Sequence, residues 1–228
     1  MFRLVVAIAC LACTLLVAAC GEDDTGSAGD EAVATETAAP AAPAGCEAAS
    51  APEPKGEGDL PKPKAVLDAG KTYVATVSTN CGDFEITLDS QRAPKTGGSF
   101  KVLADKGFYE GTTFHRIVAG FVIQGGDPKG NGEGGPGYSV VEAPPKNLIY
   151  EKGVVAMAKT ENDPAGASGS QFFVVTAEDA QLPPAYALLG KVTSGQDVVD
   201  KIGVVETDPT TEAPVEPVVI ASVKVTAE

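Results

Sequence analysis

The chain has no tryptophan, one histidine and two methionines, and aromatic residues make up only 6% of its 228 positions. With His115 as the lone imidazole, a histidine-built metal centre is excluded, and no serine–histidine–aspartate set can be assembled around it. Positive charge is also scarce. Seventeen Lys and Arg stand against 31 Asp and Glu, a net charge of −14. Such a chain is repelled by nucleic-acid phosphates, and no basic run offsets this, so nucleic acid is not an expected partner. The longest apolar run, Leu4 to Ala19, falls short of the roughly 20 residues of a membrane-spanning helix. The glycine-rich stretch Gly125 to Gly137 lacks the Gly-Lys-Ser/Thr of a phosphate-binding loop and reads as a surface loop. No internal repeat is apparent.

What is present at the N-terminus is one cation, Arg3, followed by that apolar run and small residues before Cys20. This is the layout of a secretory signal over residues 1–19. Val17-Ala18-Ala19-Cys20 resembles the lipobox of bacterial lipoproteins, in which the cysteine is acylated and becomes the first mature residue. The expectation is lipidation at Cys20 and anchoring to the extracytoplasmic face of the cell membrane. Ordinary cleavage near Ala19 and an uncleaved anchor are the alternatives. Residues 21–62 carry ten acidic and two basic side chains and almost no large apolar ones. Such a segment buries too little surface to offset the entropy of ordering, so 20–62 is expected to be a disordered tether and 63–228 the folded domain. Once Cys10, Cys13 and Cys20 are assigned to the signal and anchor, Cys46 and Cys81 remain, an even pair suited to a disulfide outside the cytoplasm. Two independent thiols are the alternative.

Within the domain, Thr72 to Thr79 alternates at period two, Asn80-Cys81-Gly82-Asp83 supplies turn residues, and Phe84 to Leu88 alternates again, which predicts a hairpin. Pro94 suits a first helical turn, Phe100, Leu103 and Ala104 share a face, and Gly107 suits the position past the helix end. Further strands are expected near 113–118, 121–124, 154–157, 171–176, 186–192 and 218–226, and a second helix near 195–202 with Val198, Val199 and Ile202 buried. Composition alone does not distinguish a barrel from a sandwich.

The stretch Phe114 to Asp127 sets an arginine and a glutamine inside short apolar runs. Strand alternation places Phe114, Arg116 and Val118 on one face, and Val122 and Gln124 together after the Ala119-Gly120 break. By the same alternation His115 faces away from Arg116 and reads as structural. An isolated arginine at a sheet edge is ordinary surface. A second block, Met157-Ala158-Lys159 and then Gly169-Ser170-Gln171-Phe172-Phe173-Val174-Val175-Thr176, repeats the pattern of polar residues among apolar ones. With Leu188-Leu189-Gly190-Lys191-Val192 after them, these blocks resemble the cyclophilins, from about Lys71 to Glu228.

That resemblance implies a mainly β fold, a closed eight-stranded antiparallel barrel capped by two α-helices, and peptidyl-prolyl cis-trans isomerase activity without cofactor or metal. It implies a monomer that binds proline-containing polypeptides, here exported ones. Arg116 matches the catalytic arginine. Phe121, Val122, Phe173 and Leu182 match the apolar positions around the proline ring; Gln124 matches the residue that orients the arginine and the substrate backbone; Ala158, Lys159 and Gln171 match positions along the peptide groove. Three positions depart from the pattern. Lys159 stands for the family's groove asparagine, Gln181 for the tryptophan that hydrogen-bonds cyclosporin, and Tyr186 for the pocket histidine, so cyclosporin binding is expected to be weak. A module that holds proline segments without turnover is the alternative function. Arg116 separates the two, because only a catalyst requires a donor aimed at the prolyl nitrogen. The amide barrier of about 18 to 20 kcal/mol must fall by roughly 5 to 7 kcal/mol to bring rotation from minutes to milliseconds. The acids Glu206, Asp208, Glu212 and Glu216 read as a solvated loop.

Overall fold

A computed structural model of the chain describes residues 42–228. The expected signal at 1–19, Cys20 and the tether as far as residue 41 lie outside the described residues. The expected hairpin is formed by β1 (Tyr73–Thr79) and β2 (Gly82–Leu88), with Tyr73 opposite Leu88 and Thr79 opposite Gly82. Helix α1 (Pro94–Asp105) follows, opened by its proline and buried along Phe100, Leu103 and Ala104. Five short strands come next: β3 (Thr112–Thr113), β4 (Arg116–Val118), β5 (Val122–Gly125), β6 (Val140–Val141) and β7 (Val154–Met157). Then come β8 (Ala167–Ser168), β9 (Phe172–Val175), β10 (Leu188–Ser194), α2 (Gln196–Ile202) and β11 (Val219–Ala227). In α2 the buried residues are Val198, Val199 and Ile202, as the periodicity requires. No helix among the described residues is long and apolar enough to cross a membrane.

The expected closed eight-stranded barrel is corrected. The main sheet has nine strands in the order β3-β11-β1-β2-β10-β7-β9-β5-β4 and is an open half-barrel, with β6 and β8 forming a separate pair. The two edges, β3 and β4, are consecutive in the chain and separated only by Phe114 and His115, and they do not pair with one another. Their outer hydrogen-bonding groups go elsewhere. Phe114 N–H donates to Val218 O at 2.9 Å, and Ile117 N–H donates to Glu212 O at 2.8 Å. The bend at 114–115 also corrects the expected face of Phe114. It is wholly buried inside the sheet's concavity, beside Ile117, whereas Arg116 and Val118 point outward.

The tether expectation differs from the structure over residues 42–62. This segment lies against the domain: Glu47 N–H donates to Asn80 O at 2.7 Å, Lys55 N–H to Pro128 O at 2.9 Å, and Leu60 N–H to Pro136 O at 3.0 Å. Cys46 is disulfide-bonded to Cys81 at the β1–β2 turn. Backbone pairing with loops, together with this covalent tie, orders a segment whose side chains alone carry too little apolar surface to do so.

Two apolar clusters form on the two sides of the sheet. The inner one gathers Phe84, Phe100, Phe114, Ile117, Ile123, Val155, Phe172 and Val174 among others. The outer one is smaller and contains Val122, Tyr150, Ala156, Phe173, Val175 and Leu188.

Candidate active site

Gly120, at φ +68°, lets the chain reverse between β4 and β5, a backbone region glycine enters without a Cβ penalty. Phe121 N–H then donates to Val118 O at 3.0 Å, and the antiparallel register sets Arg116 opposite Gln124 and Val118 opposite Val122. The row continues across the sheet, Gln124 opposite Phe173 on β9 and Phe173 opposite Ala156 on β7. Paired residues share a face, so the guanidinium, an amide and a phenyl ring stand in line on the outer side of the sheet.

The recess beside that line has a buried floor of Val122 and Phe173 and a half-buried rim of Phe121, Leu182 and Tyr186. The Phe173 and Tyr186 rings meet edge to face at 5.4 Å. Tyr150 fixes Tyr186 from below: its hydroxyl donates to Tyr186 O at 2.7 Å and accepts from Tyr186 N–H at 3.0 Å. Burial holds the Tyr150 phenol proton and raises its pKa to about 12.

The polar side of the site is a chain of amides. Gln124 Nε2 donates to Gln171 Oε1 at 3.1 Å, and Gln171 Nε2 donates to Gly132 O and Gly134 O, both at 2.9 Å. Both N–H donors of the Gln171 amide are thereby engaged and its Oε1 accepts once, while Gln124 Oε1 has no protein partner among the described residues. Ala158 N–H donates to Gln171 O at 2.9 Å, and Lys159 lays its ammonium 5.7 Å from the centre of the Tyr186 ring while donating to Thr160 O and Asp163 O. A cavity of about 450 Å³ opens among Gln124, Ala158, Lys159 and Gln171 and is walled by the 132–139 loop.

Arg116 is not held by Gln124. Its Nε donates to Glu212 at 2.5 Å, and the guanidinium stays one-third exposed. One of five donors is occupied, and the four N–H groups on the two terminal nitrogens have no partner among the described residues. Glu212, expected in a solvated loop, instead meets the guanidinium. Its loop is folded: Asp208 Oδ1 accepts from Thr210 N–H and Thr211 N–H, each at 2.8 Å, and Asp208 N–H donates to Ala213 O at 2.8 Å. Glu212 sits at φ +60°. The only forewarning was the Asp208-Pro209-Thr210-Thr211 turn chemistry, which signals a compact loop without saying what it meets.

Among the described residues no group of three or more His, Cys, Asp or Glu is placed to hold a metal. His115 lies beside the 127–134 loop with both ring nitrogens buried and without a hydrogen-bond partner.

A family model described as cyclophilin type peptidyl-prolyl cis-trans isomerase matches residues 74–225. The chain belongs to this family. It is 42% identical over 170 residues to peptidyl-prolyl cis-trans isomerase B of Streptomyces anulatus, across 66% of this chain and 95% of that one. To peptidyl-prolyl cis-trans isomerase B of Bacillus subtilis strain 168 it is 44% identical over 112 residues, 49% of this chain and 76% of the relative. Among solved structures, a Cryptosporidium parvum cyclophilin crystallised in the presence of the dipeptide Ala-Pro superposes with a TM-score of 0.62 at 30% identity, covering 67% of this chain and 98% of that one. The chain is therefore a peptidyl-prolyl cis-trans isomerase of the cyclophilin type, and its fold is the family's mainly β one with two helices. Gln181, which stands where the resemblance expects a tryptophan, is exposed, at φ +53°.

Proposed function

We propose that Arg116 is the catalytic group and that it acts on X-Pro bonds whose ring enters the recess of Phe121, Val122, Phe173, Leu182 and Tyr186. As the imide twists, the prolyl nitrogen becomes pyramidal and its lone pair becomes an acceptor. A donor fixed for that geometry lowers the barrier without any covalent step. A charge-assisted hydrogen bond supplies about 1.5 to 3 kcal/mol, less than the roughly 5 to 7 kcal/mol required. The remainder falls to the apolar recess, which excludes water and strengthens the field of the guanidinium. Gln124, with its free Oε1, and Gln171, Ala158 and Lys159 orient the peptide backbone along the groove.

The observation that carries this reading is the cross-sheet row Arg116, Gln124, Phe173. It puts a one-third exposed cation, an amide with an open acceptor and an apolar floor on one face. A binding module for proline segments would have no use for the first of these.

The proposal extends to setting. Lipidation at Cys20, after a signal at 1–19, would tether the enzyme as a monomer to the extracytoplasmic face of the cell membrane, where its clients are exported polypeptides with proline bonds to isomerise. The Val17-Ala18-Ala19-Cys20 sequence supports the anchor. The site reading is tested by exchange NMR on a proline peptide with the wild-type chain and with Arg116→Ala. Fast exchange only with the wild type is expected; equal rates would return the site to a binding module.

A further inference from the structure

We propose that residues 46–62 are a strap that positions the 128–136 loop of the peptide groove, so that the Cys46–Cys81 disulfide governs how tightly substrate binds. This rests on the groove assignment above. The strap lies outside the residues matched to the family, which begin at 74.

The strap is fixed at both ends. At one, Cys46 is bonded to Cys81, and Asn80 Nδ2 donates to Glu47 O at 2.9 Å. At the other, Leu67 is buried against α1, its N–H donating to Pro94 O at 2.9 Å. Between the two, Lys55 N–H meets Pro128 O, Gly58 N–H meets Gly135 O at 2.8 Å, and Leu60 N–H meets Pro136 O. Lys55 Nζ adds a bond to Phe108 O at 3.2 Å, and Glu57 pairs with Lys129 at 3.3 Å. The contact at Gly58 is backbone on backbone: a Cβ there would stand 2.8 Å from Pro136 Cα and 2.9 Å from Gly135 O.

The loop on which the strap lies is rich in glycine, with Gly130, Gly132, Gly134, Gly135 and Gly137 in succession. Such a loop has high chain entropy and little of its own to pack, so its partners decide its shape. From the domain side, the Asp127 carboxylate accepts from the N–H groups of Lys129, Asn131 and Gly132. From the other side comes the strap. The ordered product is the pair of carbonyls, Gly132 O and Gly134 O, that accept both N–H donors of Gln171, whose Oε1 in turn receives Gln124. The strap thus acts on the groove through two intermediaries, and Gly58 is a positioning residue. Leu60 is its one partly buried large apolar side chain between the anchors. Docking of so polar a segment depends on the second tie: with the chain already held at Leu67, the disulfide closes the segment into a loop and cuts the entropy lost on docking.

With the disulfide open, the loop loses its outer support, and a peptide must order it on binding. The expected result is a KM about threefold to tenfold higher. The turnover number should stay within about twofold, because Arg116 and Phe173 stand on strands that the strap does not touch.

The test uses the full chain with Cys46→Ser/Cys81→Ser and, separately, Gly58→Val, whose side chain enters the contact with Pro136. KM, kcat and the Gln171 side-chain amide resonances are read for each. Raised KM, near-constant kcat and displaced Gln171 resonances are expected in both. An unchanged KM with unmoved Gln171 resonances would overturn the proposal, as would a lowered melting temperature with no effect on KM, which is the mark of a purely structural strap. Should Gly58→Val fail to fold, reversible reduction of the wild type provides the same reading. A wild-type chain without turnover would defeat the site assignment separately, and the strap would then be judged on the Gln171 resonances, which do not depend on turnover.

Discussion

Phe172 and Phe173 follow one another in β9 and point to opposite faces of the sheet. Phe172 faces inward, with Phe100 at 5.7 Å and Tyr109 and Phe114 each at 5.9 Å, all wholly buried or nearly so. Phe173 faces outward, against Tyr186 at 5.4 Å and Tyr150 at 6.3 Å, under a rim of half-buried side chains. The inner cluster is closed by α1 and the sheet's curvature, so its side chains serve stability. The outer cluster is rimmed by partly buried side chains beside Arg116 and Gln124, and under the proposed function a proline ring completes it. One strand thus carries both a core residue and a site residue because its side chains alternate.

The largest effect that tests this division is on stability. Phe172→Ala should cost about 3 to 5 kcal/mol of unfolding free energy, since the void it leaves is enclosed by rings that cannot collapse. Phe173→Ala should cost clearly less, because solvent can reach the recess it opens, while KM for a proline peptide rises. Urea titration of both variants measures the difference. Equal losses would mean that the outer cluster is as closed as the inner one.

Next in size is Arg116→Ala. Losing one charge-assisted hydrogen bond in the transition state corresponds to a fall in kcat/KM of about 10- to 100-fold. The melting temperature should hardly move, since a one-third exposed ion pair contributes little to folding. A stability loss as large as that of Phe172→Ala would show Arg116 to belong to the structural side of the comparison.

Glu212→Ala should have a smaller effect, a kcat reduction of about threefold to tenfold, from freeing the guanidinium to explore other rotamers. Glu212→Gln, which can still accept from Nε, should recover part of it. Kinetics with KM and kcat resolved would show this, a KM effect alone being the contrary outcome.

This ion pair also marks the limit of what the sequence carried. Arg116 and Gln124 belong to one tight hairpin, so alternation and a single glycine suffice to place them, and the Phe172–Phe173 alternation follows from the same rule. The two helices and nearly all strands were legible for similar reasons, being set by local periodicity and turn residues. Arg116 and Glu212 are 96 positions apart. Their meeting depends on how the 206–216 loop returns along the β4 edge, and no local pattern encodes that path. The order of residues 42–62 is hidden from the sequence on the same ground. Their composition is that of a disordered segment, and their order comes from backbone partners on distant loops and a disulfide. The expected closed barrel of eight strands differs from the open nine-stranded sheet and the separate β6–β8 pair for a related reason: the partner of each edge, and the two-residue strands β6 and β8, are not encoded by local alternation.

The smallest expected effect concerns His115, in the bend between inward Phe114 and outward Arg116. Burial lowers its pKa from 6.5, the negative charge of Asp127 opposing this only in part and Arg116 adding to it. The folded chain therefore keeps the ring neutral where the unfolded chain would protonate it. The stability tied to this is fully present above pH 6.5 and is lost as the pH falls through the folded-state pKa. Between pH 7.5 and pH 5.5 stability should therefore decline, before most carboxylates titrate. Urea midpoints at the two pH values should differ for the wild type and converge for His115→Phe, which keeps a ring in the bend and removes the titration. Persistence of the full pH dependence in that variant would place the acid sensitivity among the carboxylates instead, with the imidazole merely a packed ring at the seam of the two faces.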